Sequence, residues 1–197
     1  MISMRHALAQ RCTVRVSHLA VGFIALFLVA PGAVGADIRP AHEGPSTSNV
    51  VHVNASVSGG AGDGSSWGNA FESVQEGISA AEVGTQVWVA VGTYVPESWP
   101  NGDSSDARMK HFSLKNGVEV YGGFAGTEIS LGRRDWATNP TILSGDIGAE
   151  AETSDNCFHL FFHPRELELD ATAVLDGFTL TAANANGTGA AGKGGGM

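Results

Sequence analysis

The stretch from Gly117 to Gly148 decides the fold, and it reads GVEVYGGFAGTEISLGRRDWATNPTILSGDIG. It contains one four-residue pattern twice, at Val120–Gly123 and at Ile142–Gly145: two apolar residues, a small residue and a glycine. Similar patterns stand at Val89–Gly92 and Val174–Gly177, so that successive copies begin 31, 22 and 32 residues apart. A short β-type unit that recurs every 20–50 residues or so is typical of a solenoid, whose units bury their apolar faces against each other. The sequence therefore predicts an all-β fold of stacked coils.

The first 36 residues are predicted to be a secretory signal peptide. Three arginines precede an apolar run from Leu19 to Ala30, and small residues at Val34 and Ala36 follow it. This order is typical of an export signal that is cleaved after Ala36. A membrane anchor is the alternative, but the run is broken by Pro31 and is shorter than the roughly 20 apolar residues that a span needs. We therefore expect a secreted or cell-surface protein without a transmembrane anchor in the mature chain.

Composition indicates a globular, acidic protein. The chain has 197 residues with 27 glycines, 43% hydrophobic and 16% charged residues, which suits one domain. Loss of the three signal-peptide arginines, with no acidic residue, changes the formal net charge from −9 to −12. This charge excludes nucleic acid as an expected partner. The acidic groups either hold Ca²⁺ or keep the surface soluble. Cys12 leaves with the signal, so Cys157 has no partner for an internal disulfide.

The mature chain divides into three segments. Residues 37–49 are predicted to be a linker, residues 50–84 an N-terminal strand, a glycine-rich loop and a helix, and residues 85–197 incomplete β-helix rungs. The helix is expected from Phe71 to Ala81, capped by Asn69, because Phe71, Val74, Ile78 and Ala81 share one face. It is expected to cover the open end of the solenoid core.

The first rung strand is predicted at Gln86–Val91. A period of two places three valines on its inward face: Val87, Val89 and Val91.

Six short segments together resemble a known family: Val91–Tyr94, Phe112–Val118, Val120–Glu128, Arg134–Trp136, Thr141–Asp146 and Val174–Thr179. They are similar to the N-terminal rungs of exported bacterial β-helix proteins of the pectate-lyase-like and polymorphic outer-membrane-like kind. The resemblance spans Val50 to Met197. It implies a right-handed single-stranded parallel β-helix that is truncated and has an N-terminal capping α-helix. Because this superfamily includes lyases, hydrolases and adhesins, the resemblance is specific for the fold and not for the chemistry.

No catalytic, cofactor-binding or metal-binding residue is assigned from this resemblance. Pectate lyases use an arginine base and acidic Ca²⁺ ligands on outward faces of central rungs, whereas Arg133, Arg134 and Arg165 lie in connecting segments. The chain also ends in a glycine-rich run, Gly192–Met197, where related proteins open another rung. It is therefore expected to be a fragment of a longer protein.

Cys157–His163 is the one segment where metal-ligand residue types cluster. On a strand, Cys157, His159, Phe161 and His163 would share an outward face, and Phe158, Leu160 and Phe162 would face the core. No fourth ligand is evident, so the row is interpreted as solvent-facing rather than as a zinc site. The oxygen-rich run Asn101–Asp106 lacks the fixed ligand positions of a calcium loop and is interpreted as a solvated turn.

Two alternative functions are expected from these features of the sequence. The first is a non-catalytic exported β-helix module for surface attachment or carbohydrate contact, with a polysaccharide or cell-surface component as partner. The alternative is the N-terminal part of a polysaccharide lyase or glycoside hydrolase whose catalytic rungs lie beyond residue 197. The apolar strand Val174–Leu180 is expected to lie at an open edge, through which the chain can associate with itself.

Overall fold

The computed structural model describes residues 49–99, 106–164 and 166–194. The predicted signal peptide, nearly all of the linker, most of the Asn101–Asp106 turn and Arg165 lie outside these ranges. In the described part of the chain, no helix combines the length and the apolar character needed to cross a bilayer.

The described residues form an all-β fold in which every strand pairs in parallel. The first sheet has the order β1-β2-β4-β6 and the second has the order β3-β5-β7. The strands are β1 (Val50–Val53), β2 (Thr85–Ala90), β3 (Gly92–Tyr94), β4 (Val118–Phe124), β5 (Thr141–Ser144), β6 (Val174–Asp176) and β7 (Phe178–Thr181). One α-helix, α1 (Val74–Ala80), and four 3₁₀ turns complete the described elements: Trp67–Asn69, Ala107–Met109, Leu131–Arg133 and Gly189–Gly192.

The chain alternates between the two sheets. Strands β2, β4 and β6 of the first sheet are each followed by a strand of the second sheet. The register of the first sheet aligns Val87 with Val120, and Val120 with Leu175. Val87 and Val120 are fully buried, together with Val53, Val89, Val118 and Leu143. The apolar core therefore lies on the inward faces of both sheets, as the pattern of alternating valines predicts.

The four copies of the sequence pattern do not occupy equivalent positions, which corrects the repeat inferred from spacing. The copy at Ile142 lies in the second sheet, whereas Val120 and Val174 lie in the first. Val120 and Val174 are not aligned with each other either, because Val174 pairs with Glu119, the residue before Val120. The glycine at the end of the pattern lies inside β4 in one copy and between β6 and β7 in another. The connections between strands also differ in length, so spacing along the sequence does not reveal which strands are neighbours.

Val91 was expected on the inward face but is 38% exposed. Strand β2 ends at Ala90, and its register with β4 shifts between Trp88 and Ala90. The Val91 amide then donates to the Phe124 carbonyl at 2.7 Å. The period of two holds only while the strand is regular, so it fails at this corner.

Helix α1 is shorter than predicted and has a different N-terminus. It begins at Val74, with Ser73 at the N-cap position, and Phe71 instead forms a parallel bridge with Val53. Asn69 does not cap it: this side chain accepts a hydrogen bond from the Ala61 amide at 3.0 Å within the glycine-rich loop. Phe71 is half-buried, and the other three residues of the expected apolar face are buried: Val74, Ile78 and Ala81.

Gly77 explains how the helix packs so closely on the first sheet. A Cβ atom at this position would lie 2.5 Å from Cγ2 of Val53 and 3.3 Å from Cγ1 of Val87. Glycine weakens an isolated helix by about 1 kcal/mol relative to alanine. Here it permits close contact between α1 and the strands β1 and β2.

Candidate functional site

The outward face of the first sheet carries one side chain from each strand in a continuous row. The parallel register aligns His52 with Trp88, Trp88 with Tyr121, and Tyr121 with Asp176. These residues alternate with the inward valines and therefore lie on the opposite face of the sheet. Neighbouring strands are about 4.8 Å apart, so successive members of the row are within contact distance.

The half of this row formed by His52 and Trp88 is packed against other aromatic rings and has a structural role. The Phe124 ring stacks on Trp88 with 4.8 Å between ring centroids, and Trp67 lies 5.6 Å from Phe124 and 4.6 Å from His52. Trp88 is consequently only 5% exposed. Burial lowers the pKa of His52, whose Nδ1 also lies 3.0 Å from the Gly64 carbonyl. This half forms a second, small aromatic core outside the sheet.

The other half of the row, at Tyr121 and Asp176, is open and is completed by Arg134. The guanidinium carbon of Arg134 lies 4.9 Å from the centroid of the Tyr121 ring. Its Nη2 donates to the Asp176 carboxylate in a salt bridge. Its Nη1 lies 3.4 Å from the carbonyl oxygens of Gly122 and Asp176. Arg134 thus joins the ends of β4 and β6.

The position of Arg134 was not foreseen from the sequence. The residue does lie in a connecting segment, directly after the 3₁₀ turn Leu131–Arg133, as expected. Its side chain, however, reaches back over the strands. A segment assignment fixes where the backbone of a residue runs, but a long arginine side chain extends well beyond it.

Asp135 and Gly123 fix the loop that presents Arg134. The Asp135 carboxylate accepts hydrogen bonds from both the amide and the hydroxyl of Thr138 and from the amide of Ala137, and these bonds lower its pKa. The Asp135 amide donates to the Gly123 carbonyl at 2.8 Å. Gly123 has a φ of +94°, and a Cβ atom there would lie 2.9 Å from the Trp136 nitrogen. Only glycine suits this position, which holds the Trp136 backbone against the end of β4.

Trp136 is the exposed member of the site. Its side chain is 61% exposed, and its ring centroid lies 5.4 Å from the Arg134 guanidinium carbon. It borders a cleft of about 380 Å³, which we call the Trp136 cleft; the lining residues also include Pro140, Asp176, Phe178 and Thr179. Ligand sites typically begin at about 300 Å³, so the cleft is large enough for a small ring compound.

Glu119 adds a second carboxylate beside Tyr121. The amide Nε2 of Gln86 donates to Glu119 at 3.1 Å, and the Tyr121 hydroxyl also hydrogen-bonds to Glu119. Burial first, and then the Glu119 charge, raises the pKa of Tyr121. The Tyr121 hydroxyl is protonated at neutral pH, as in an ordinary tyrosine, and it donates its hydrogen bond to Glu119.

The Trp136 cleft combines an exposed aromatic face with a paired donor and acceptor. The Trp136 ring can pack against an apolar ring face. Asp176 lines the cleft and offers acceptor oxygens from a half-exposed carboxylate, whereas its partner Arg134 lies behind it with a side chain that is only 13% exposed. This arrangement suits a ligand with C–H groups on its faces and hydroxyl groups on its rim.

The Cys157–His163 segment is arranged differently from the prediction. It is not a regular strand, and its only bridge joins Phe161 to Phe112. Cys157 and Phe161, expected to face outward, are 0% and 4% exposed and belong to the core. The backbone bends because the Cys157 amide donates to Gly145 and the next amide donates to Arg108. The alternation that was assumed requires an extended strand, which does not form here.

Burial also decides the chemistry of this segment. It raises the pKa of the Cys157 thiol to about 11, although the charge of Arg108 opposes the rise. Cys157 is thus a protonated core residue and a poor nucleophile. Across the described ranges, no group of three or more His, Cys, Asp or Glu side chains is placed to hold a metal ion.

His163 predicts a loss of stability in mild acid. The Leu114 amide donates to Nε2 of His163 at 2.7 Å, so the imidazole must remain neutral to accept it. Burial, together with the charge of His111, lowers the pKa of His163. The unfolded chain then binds protons more readily than the folded chain below a pH of about 6.5. We expect the urea midpoint to stay constant from pH 8 to 7 and to fall as the pH drops from 6.5 to 5.

The variant His163→Gln tests the assignment, because its amide oxygen can accept the same hydrogen bond at every pH. A smaller decline between pH 6.5 and 5 is expected for this variant. Burial also lowers the pKa of His52 and His111, so part of the decline should remain. Equal slopes in the variant and the wild type would show that His163 is not responsible.

The fold and the Trp136 cleft together define an all-β protein with parallel strands and an aromatic, charged surface site. Comparisons with protein-family models, curated proteins and solved structures find no match to this chain. The similarity to exported β-helix proteins therefore remains a prediction from the motifs quoted above.

Proposed function

We propose that this chain is an exported, non-catalytic binding module that contacts carbohydrate through the Trp136 cleft. The observation that carries the proposal is the exposed Trp136 ring beside the Arg134–Asp176 pair. A pyranose ring has apolar C–H faces and a rim of hydroxyl groups. The aromatic face and the paired donor and acceptor match these two features.

The scaffold of this module is a right-handed parallel β-helix with an N-terminal cap. Its support is the alternation between the two sheets, in which β2–β3, β4–β5 and β6–β7 are successive coils. At the first coil, the free edge of β1 is covered by the loop before α1. The His52 amide donates to Gly64 at 2.9 Å, and the Phe71 amide donates to the His52 carbonyl at 3.0 Å. Covering an edge strand in this way prevents it from pairing with another chain.

A binding role fits the chemical state of the cleft better than a catalytic role. Tyr121 is protonated at neutral pH, as an ordinary tyrosine is, and its hydroxyl donates to the Glu119 carboxylate. Arg134 is engaged by the Asp176 carboxylate and by two carbonyl oxygens. Both side chains are thus arranged as donors rather than as bases. We accordingly expect no unsaturated product from polyuronates in an assay of near-ultraviolet absorbance.

The Arg134–Asp176 pair further implies a preference for neutral sugars. Asp176 neutralises the arginine of the cleft, and Glu119 lies on the same face beside Tyr121. A uronate would bring its carboxylate towards these two acids, and like charges in contact are strongly unfavourable. Neutral polysaccharides avoid this repulsion.

Asp176→Asn tests both the binding and its selectivity. The amide retains an acceptor oxygen but leaves the Arg134 charge uncompensated. In affinity electrophoresis, the wild type is expected to be retarded by a neutral glucan, mannan, galactan or xylan and little by polygalacturonate. The variant is expected to bind polygalacturonate about tenfold more tightly than the wild type, with an effect that weakens as salt is added.

Glu82→Gln is the matched control, because it makes the same charge change at an exposed residue in the turn between α1 and β2. It should leave both affinities unchanged. A wild type that binds none of the polysaccharides would refute the carbohydrate function itself. Equal polygalacturonate binding by the wild type and Asp176→Asn would refute only the role of the ion pair.

A further inference from the structure

Three side-chain oxygens in one loop are buried without any hydrogen-bond donor in the described part of the chain. They are Oδ1 of Asp146, Oδ1 of Asp155 and Oδ1 of Asn156. Buried polar groups in native proteins are nearly always paired, and an unpaired buried charge is costly. Each of these oxygens is therefore available to a water molecule or a cation, since no donor of the described residues occupies it.

The two ends of the loop, which carry these residues, meet at its base. The Cys157 amide donates to the Gly145 carbonyl at 2.8 Å and closes the base of the loop. Asp146 and Asn156 are the first residues inside this closure, one on each side, and Asp155 comes next. The backbones of these three residues are therefore neighbours at the base of the loop, where Asn156 is only 4% exposed.

Each carboxylate uses its other oxygen to hold the turn. Oδ2 of Asp146 accepts from the Ala151 amide at 3.1 Å, and Oδ2 of Asp155 accepts from the Ala149 amide at 2.7 Å. The turn thus fixes both carboxylates while it leaves one buried oxygen of each without a donor.

The arginine that reaches this loop does not neutralise them. Nε of Arg108 donates to the backbone carbonyl of Asn156 at 2.7 Å. Its Nη2 donates to the Asn184 carbonyl at 2.9 Å and to the Asn186 side chain at 2.7 Å. These contacts hold the backbone of the loop and its neighbour, and none of them involves the three Oδ1 atoms.

We propose that Asp146, Asp155 and Asn156 bind a Ca²⁺ ion through their Oδ1 atoms. Two carboxylates and one amide oxygen form a hard ligand set that balances the charge of a divalent cation. Ca²⁺ accepts six to eight oxygens in irregular geometry, so loop carbonyls and water can complete the shell. Mg²⁺ demands near-ideal octahedral geometry, and Zn²⁺ favours nitrogen and sulfur ligands. The ion would fix the loop that connects the two sheets between β5 and β6.

Thermal unfolding of the purified protein tests this site. Extracellular calcium modules bind with dissociation constants of about 0.1–1 mM, so 10 mM CaCl₂ is expected to raise Tm by about 5 °C. MgCl₂ at the same concentration and NaCl at equal ionic strength should raise it by less than half as much. Calorimetric titration with CaCl₂ should give one site per chain.

The double variant Asp146→Asn/Asp155→Asn removes both charges but retains oxygens that can accept the two turn amides. It is expected to lose the Ca²⁺-dependent Tm shift. The control Glu150→Gln/Glu152→Gln makes the same charge change at exposed residues of the same loop and should keep the shift. An unchanged shift in Asp146→Asn/Asp155→Asn would overturn the proposal. A wild type that binds no Ca²⁺ in the titration would overturn it even if the double variant did not fold, because the three oxygens would then hold only water or protons.

Discussion

Replacing Gly122 with alanine is expected to lower Tm by about 5–10 °C. The new Cβ atom would lie 2.5 Å from the Gly177 carbonyl oxygen and 3.0 Å from Cβ of Thr141. Both contacts are shorter than van der Waals separation and involve backbone or a stiff β-branched side chain, so the strands must move apart. Overpacking of this kind costs about 2–3 kcal/mol, which corresponds to the stated change in Tm.

The matched control for Gly122→Ala is Gly132→Ala, because a Cβ atom at Gly132 would meet no atom within 4 Å. Its Tm should stay within about 1 °C of the wild type. Differential scanning calorimetry of both variants makes the comparison. If Gly122→Ala were as stable as Gly132→Ala, the close contact between Gly122 of β4 and Gly177, which lies between β6 and β7, would be contradicted.

The second large effect is expected for Trp136→Ala, which should weaken binding to neutral polysaccharide about thirtyfold. This prediction rests on the proposed function. Exposed tryptophans that become buried by a ligand commonly contribute about 2 kcal/mol, which is a factor of about 30. Since the side chain is 61% exposed, its removal should leave Tm nearly unchanged. The measurement is isothermal titration with a soluble neutral oligosaccharide.

Ile129→Ala is the matched control for Trp136→Ala. Ile129 is a large hydrophobic side chain, 84% exposed, in the same connection between β4 and β5. Its removal should leave the affinity unchanged. Equal losses in both variants would indicate a general dependence on the loop rather than contact with the Trp136 ring.

The sequence allowed the all-β class and the inward faces of its elements to be predicted, because both depend on local periodicity. Alternating valines indicated the inward faces at Val87 and Val89, and the spacing of Val74 and Ile78 indicated the buried side of the helix. Corners and irregular segments were predicted wrongly. Val91 and Cys157 both follow points where the backbone leaves the extended conformation, and beyond such points a period of two has no meaning.

The Trp136 cleft could not be predicted from spacing, because its residues are brought together by register. Tyr121 is aligned with Asp176 only when Glu119, and not Val120, pairs with Val174. The repeated pattern suggested the other alignment. A long side chain such as Arg134, which crosses from a loop to two strands, leaves no periodic signal. The sequence shows the charged and aromatic residues near Trp136, but it does not show which of them contact each other in the folded protein.

The central claim is that the Trp136 cleft binds neutral carbohydrate, and chemical-shift mapping tests it most directly. A ¹⁵N-labelled sample of the protein is titrated with neutral oligosaccharides of the polysaccharide that retards it most in electrophoresis. The account predicts that the largest shifts occur at the Trp136 indole N–H, the Arg134 side chain and the Asp176 amide. Shifts confined to another surface, or no shifts at millimolar ligand, would contradict it.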